Sequence, residues 1–163
     1  MRPIWLPSVL SMDGPWEKTL EKLYAIFTND FINGEPKFGL IPVWWDNRKP
    51  DGKYDEGFWH IITKTDYTIM DRVPDYERAK RLPWCAPTII NYREPTIKCW
   101  DFLEASRRIR TYIWLEDWEY VVILEKRQLD NEEIAILITA FVVYGSSTRK
   151  NLLAKYEKRI NSD

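Results

Sequence analysis

Tyr120-Val121-Val122-Ile123-Leu124-Glu125-Lys126-Arg127 is dense in β-branched and aromatic residues, and such a run reads as a β-strand. A second run, Ile134 to Tyr144, has the same character and ends at Gly145. The link between them is too short for a helix crossover, so the two are expected to pair antiparallel. Upstream, Ile97 to Ala105 and Arg108 to Leu115 read as two more strands joined by equally short links. The second half of the chain is therefore expected to be an antiparallel sheet built in sequence. After Gly145, Ser146 or Ser147 is placed to cap a basic helix running to about Arg159.

The first half reads differently. An extended lead-in from Met1 ends at Asp13-Gly14-Pro15, where Asp13 is a plausible N-cap and Pro15 sits in the first turn. Trp16, Leu20, Leu23, Phe27 and Phe31 then recur at helical spacing, until Asn33-Gly34 stops the helix. Residues 35–57 are rich in Pro, Gly and Asp. Within them Leu40 to Trp45 is extended, and Asp46 to Tyr54 reads as a mobile loop, with Asp46, Asp51 and Asp55 as loop residues. Phe58 to Lys64 is taken as a short strand. Asp75 to Leu82 is taken as a helix stopped by Pro83, with a further short turn over Trp84 to Asn91. Helices first and a sheet afterwards make an α+β protein.

At 163 residues, 45% of them hydrophobic and nine of them tryptophan, the chain suits one folded domain spanning 1–163 rather than a disordered segment. Its net charge of −1 argues against coating nucleic acid through bulk charge. Local charge differs: residues 72–110 carry nine Arg or Lys against five Asp or Glu, and residues 149–159 carry five against one. That suits a phosphate-bearing partner engaged locally, although an ordinary solvated surface has the same pattern. One histidine and two cysteines, Cys85 and Cys99, do not fill a tetrahedral zinc site, so no metal or cofactor is expected. The thiols are expected to be free and part-buried in a reducing cytoplasm. No apolar run is long enough to span a bilayer, and the N-terminus lacks a signal-peptide pattern, so the expected location is cytoplasmic with no membrane partner.

His60, the only histidine, carries the clearest chemistry, because imidazole is the one side chain whose ordinary pKa lies near neutrality. On a strand His60, Ile62 and Lys64 share a face. Arg72, Arg78 and Arg81 follow, and guanidinium is the natural partner of phosphate oxygens. Asp75 is placed to cap a helix and orient Arg78. Thr139, a hydroxyl inside an apolar strand, is either a satisfied strand residue or a donor to a phosphate oxygen. Trp84, Trp45 or Trp59 is available to stack an unpaired base, with core packing the ordinary alternative. Glycine-rich phosphate loops and nucleophile elbows are absent, and no carboxylates cluster as in a magnesium nuclease.

The runs Phe58 to Lys64, Asp71 to Arg78 and Arg81-Leu82-Pro83-Trp84, with the late strands Tyr120 to Leu124 and Ile136 to Phe141, resemble phage- and prophage-encoded proteins of the Barnase-EndoU-colicin E5/D-RelE (BECR) nuclease superfamily. The resemblance covers about residues 57–145. It implies N-terminal helices followed by a curled antiparallel sheet of about four strands, to which the residue pattern adds a C-terminal helix. Residues 1–57 would form the helix-and-loop region, 58–145 the BECR-like core and 146–163 the basic helix. The implied activity is metal-independent RNA cleavage by 2′-hydroxyl attack, giving a 2′,3′-cyclic phosphate. Catalytic roles would fall to His60, Lys64, Arg78, Arg81 and Thr139, and substrate contacts to Arg72, Trp84, Thr63 and Tyr144. The implied partners are RNA (tRNA or mRNA) and a cognate inhibitor or host protein. EndoU-type members use two histidines and this chain has one, so a second proton-transfer role would fall to Lys64, Tyr144, a carboxylate or water. The alternative is a phage accessory protein that binds RNA or a host protein without cutting.

Overall fold

The structure, a computed structural model, describes residues 2–160. Helix α1 (Trp16–Phe27) buries Leu20, Leu23 and Phe27, as the spacing predicts. It begins at Pro15 with no side-chain cap; Asp13 instead accepts a hydrogen bond from the Ser11 hydroxyl. A single π-helical turn, Thr28–Ile32, prolongs it and keeps Phe31 stacked on Phe27 in the core.

Strands β1 (Lys37–Phe38) and β2 (Ile41–Trp45) form a short hairpin. Next comes α2 (Glu56–Ile62), where a strand had been expected. The burial shows why: Phe58, Ile61 and Ile62 are inside and His60 is half out, which is i, i+3, i+4 spacing and not alternation. The face expected to carry His60, Ile62 and Lys64 together therefore does not exist. Only from Thr63 does the chain extend, as β3 (Thr63–Asp66) paired with β4 (Asp71–Pro74).

Helix α3 (Tyr76–Lys80) is capped as expected by Asp75, which accepts from the Glu77 and Arg78 amides. Pro83 does not end a helix but sits in the first turn of α4 (Leu82–Ile90), where a missing N–H costs nothing. Strands β5 (Ile97–Leu103), β6 (Ile109–Leu115), β7 (Tyr120–Leu129) and β8 (Glu132–Val142) follow in an antiparallel meander, matching the four strands read from sequence. Helix α5 (Gly145–Glu157) closes the chain; Tyr144 is its N-cap, and neither Ser146 nor Ser147 caps it.

The α+β class holds, but the sheet is larger and mixed. Its order is β1-β2-β8-β7-β6-β5, six strands with β2 parallel to β8 through the pairs Val43–Ala135, Trp44–Ile136 and Trp45–Leu137. A parallel pair between segments about ninety residues apart leaves no short-link signature in the sequence. One face of the sheet packs on α1, α2 and α4 around Phe27, Phe58, Trp84 and Tyr120. The other is partly covered by α5, through Leu152, Leu153 and Tyr156 on Trp100, Tyr112 and Trp114. Both thiols are free. Among the described residues no helix is long and apolar enough to cross a membrane.

Candidate active site along the rim of β8

His60 stands in the last turn of α2, one turn beyond Glu56. Its Nε2 lies 3.0 Å from Glu56 Oε1, the ring's only hydrogen bond among the described residues. Arg72 on β4 donates to the same carboxylate oxygen from Nη2 at 2.5 Å. That guanidinium, and more weakly His60, hold the Glu56 carboxyl below its ordinary pKa against the opposing effect of burial. The result is a fixed chain, Arg72–Glu56–His60, that orients the ring and leaves Nδ1 unengaged.

The backbone at His60 is tied to the sheet. Thr139 donates its hydroxyl to the His60 carbonyl at 3.0 Å. It does so beside a β-bulge: Ile123 pairs with Thr139 and Leu124 with Leu137, leaving Ile138 without a partner. Bulges re-aim side chains next to functional sites.

In front of His60 lies a groove of about 390 Å³ floored by residues 136–138 of β8. Trp44, Asp46, Arg48, Gly57 and Arg127 line it with the imidazole. Asp46 is paired with Arg48 (Nε–Oδ1 2.8 Å), and Arg48 first, then the proximity of His60, lowers its carboxyl pKa. Trp44 is 47% exposed. An imidazole, an ionised carboxylate, two guanidiniums and an open indole thus share one groove.

The Arg78–Arg81 pair occupies the other end of the same rim. Arg78 bonds the Thr63 carbonyl through Nη1 at 2.7 Å, pairs with Asp75 at 3.2 Å and lies over the Phe141 ring, 6.0 Å from its centroid. Burial lowers its pKa, against the pull of Asp75. Arg81 lies over Trp84 and donates to the Glu77 carboxylate at 2.7 Å. Tyr144, exposed just past β8, has its hydroxyl pKa raised by burial and by Asp75 and Glu77, with Arg81 and Arg78 opposing. From Ile138 beside His60 to Tyr144 is six residues, or about 20 Å of strand. So β8 gathers His60, Thr139, Arg78, Arg81 and Tyr144 along one edge without making them converge on one atom.

Three expected residues fall elsewhere. Lys64 is exposed on β3 opposite Val73 and lines no part of the groove. Trp84 is 4% exposed, with its Nε1 donating to the Pro7 carbonyl at 2.8 Å, so its ring has no free face for a base. Thr63 is buried, its hydroxyl on the Trp59 carbonyl. Arg72 is present but acts on Glu56. Trp45 donates to Asp55, and Trp59 packs on Tyr54 and Phe58.

Glu56, Asp46, Arg48, Trp44 and Arg127 were not singled out from sequence. Glu56 was legible, as an i,i+4 partner of His60 once 56–62 is read as helix. The others depend on the β2–β8 pairing. Comparison with protein-family models, curated proteins and solved structures gives no match for this chain.

Proposed function

We propose that this protein is an endoribonuclease that cleaves RNA without a metal, at the His60 groove. The Asp46 carboxylate takes the proton from a ribose 2′-hydroxyl, whose oxygen attacks the adjacent phosphorus. His60, held through Nε2 by Glu56, acts as the acid and gives a proton from Nδ1 to the departing 5′-oxygen. The products are a 2′,3′-cyclic phosphate and a 5′-hydroxyl end. Arg48 and Arg127 offset the charge that grows on the phosphate oxygens. Arg78 and Arg81 offer fixed cations to a phosphate farther along the strand. Asp46 supplies the second proton-transfer group that a one-histidine chain requires, in place of Lys64 or Tyr144.

The observation that carries this reading is the Arg72–Glu56–His60 chain opening onto a groove with two arginines and an ionised carboxylate. An acid–base group of this kind contributes about 10²–10⁴-fold. The order of motifs resembling BECR nucleases of phage origin supports the same activity, and two free thiols suit a cytoplasmic location.

The test is incubation of purified protein with total RNA in EDTA, beside His60→Ala and Glu56→Gln, with mapping of product ends. Cyclic-phosphate ends that disappear with His60→Ala and fall with Glu56→Gln are expected. Equal cleavage by His60→Ala refutes the assignment. A second reading, RNA binding without cutting, is favoured by one observation: Arg78 and Arg81 are already bonded to internal acceptors. RNA bound but left intact by folded protein would establish it.

A further inference from the structure

The groove does not end at Arg127. The register places Trp44 on β2 beside Ile136 on β8, Ile136 beside Glu125 on β7, and Arg110 on β6 against Glu125. This row crosses four strands on one face of the sheet, about 14 Å at roughly 4.8 Å per strand. It lies on the half of that face away from the residues that α5 covers.

Its centre is unusual. Glu125 is 5% exposed, and three guanidiniums close over it: Arg127 at 2.6 Å, Arg110 at 2.9 Å and Arg108 at 3.2 Å. Burial opposes its charge, but the bond from Arg127 and the charges of Arg110, Arg127 and Arg108 win and hold the carboxyl below its ordinary pKa. One carboxylate against three guanidiniums leaves two positive charges in excess. The carboxylate holds the three guanidiniums together, and Arg108 and Arg127 keep about half of their side-chain surface in water. Fixed, half-solvated guanidiniums beside an open indole present cationic forks for phosphates and a flat face for a base.

We propose that this face, from Trp44 across the arginine cluster on Glu125, is the platform on which single-stranded RNA lies as it enters the His60 groove. The inference rests on reading that groove as an RNA site, and the two share Trp44, Ile136 and Arg127. The single-strand preference follows from the indole, since a base is free to stack on it only when it is not stacked in a duplex. Net positive charge selects a polyanion over a neutral partner, and the shared lining makes the platform continuous with the proposed reaction centre.

The experiment measures binding of a labelled twelve-nucleotide RNA, single-stranded and as a duplex, to full-length protein carrying His60→Ala so that nothing is cut. The single strand is expected to bind about tenfold more tightly than the duplex. Trp44→Ala is expected to weaken it about fivefold or more. Arg108→Ala with Arg127→Ala is expected to weaken it about tenfold, and to make the slope of log affinity against log salt shallower by about 1.4 for two lost phosphate contacts. Glu125→Gln removes the one negative charge and is expected to tighten binding, a direction that structural damage does not mimic. Unchanged affinity in the double variant, equal binding of the duplex, or tighter binding of polyglutamate than of RNA overturns the platform. The groove reading is judged separately, by cleavage with His60 intact. Cleavage with unaltered binding in these variants removes the platform alone, whereas binding that responds as predicted in a protein that never cleaves removes the catalytic reading alone.

Discussion

Asp55 immediately precedes α2 and ties the start of the helix carrying His60 to α1 and β2, which makes its removal the most informative perturbation of the scaffold. It is 3% exposed, yet its carboxylate accepts three hydrogen bonds: from Tyr24 on α1 at 2.8 Å, from the Trp45 indole on β2 at 2.8 Å and from Lys49 at 2.7 Å. Asp55→Ala removes the charged acceptor of the half-buried Trp45 N–H and Tyr24 hydroxyl, at about 1.5–3 kcal/mol for each bond to a charged group. Lys49 is substantially exposed and returns to water at little cost. The expected loss is about 3 kcal/mol, or a fall in Tm of about 6–12 °C for a chain of this size. Burial works against the charge on Asp55, but the bonds from Lys49, Trp45 and Tyr24 outweigh it and lower the pKa. A lowered carboxyl stabilises the fold above its unfolded pKa of about 3.9 and loses that contribution as pH falls through the lower folded value. The gap between wild type and Asp55→Ala should therefore be full at pH 7 and shrink below about pH 4. Urea denaturation followed by tryptophan fluorescence at pH 7 and pH 3 measures both. A loss under 1 kcal/mol at pH 7, or a gap that does not narrow in acid, refutes the reasoning.

Other perturbations probe the rim directly. Thr139→Val removes the bond to the His60 carbonyl at nearly constant shape; about 1 kcal/mol of stability and a drop in kcat larger than any rise in KM are expected, from thermal melts and steady-state cleavage. Gly57→Ala places a methyl 2.8 Å from Trp45 Cβ and 3.3 Å from the Asp46 amide; overpacking of about 1–3 kcal/mol should appear as a lower urea midpoint, with reduced cleavage because the groove wall shifts. Burial pushes both thiols up to about 12, so neither Cys85 nor Cys99 should react with iodoacetamide at pH 8 until urea unfolds the chain, as intact-mass measurement would show.

What the sequence discloses is what local pattern controls. The strands from Ile97 to Val142 are long, β-branched and closely spaced, so existence and pairing were both readable. Asp75 as a cap and partner of Arg78 was readable because both contacts lie within three residues. Phe58 to Ile62 misled because five residues rich in Ile and aromatics satisfy a strand and a buried helix turn alike. The deciding information is which of them are buried, and that is tertiary. Asp46 and Asp55 are loop residues as read, but the burial of Asp55 was hidden for the same reason: an acidic residue in a Pro- and Gly-rich stretch looks solvated until Trp45 and Tyr24 are brought to it from elsewhere. His60 was found by its chemistry, while its companions Asp46, Arg48 and Arg127 come from segments that only the β2–β8 pairing joins.

That pairing also explains why a groove forms where it does. β2 accompanies β8 only as far as Leu137 and then leaves the sheet at Asp46. Beyond that point this edge of β8 pairs with no strand among the described residues, and α2 and α3 pack against it instead. A helix does not continue a strand's hydrogen-bonding edge, so the polar groups there need side-chain partners or solvent. Thr139 meets the carbonyl at the end of α2, and the unpaired Ile138 marks the change of geometry. The place where one strand departs and a helix end takes over is thus where an imidazole, a carboxylate and two guanidiniums have room to face the same space. Lengthening β2 by two paired residues would close that space and bring Asp46 into the ladder. The short parallel strand is therefore a condition of the site as much as a feature of the fold.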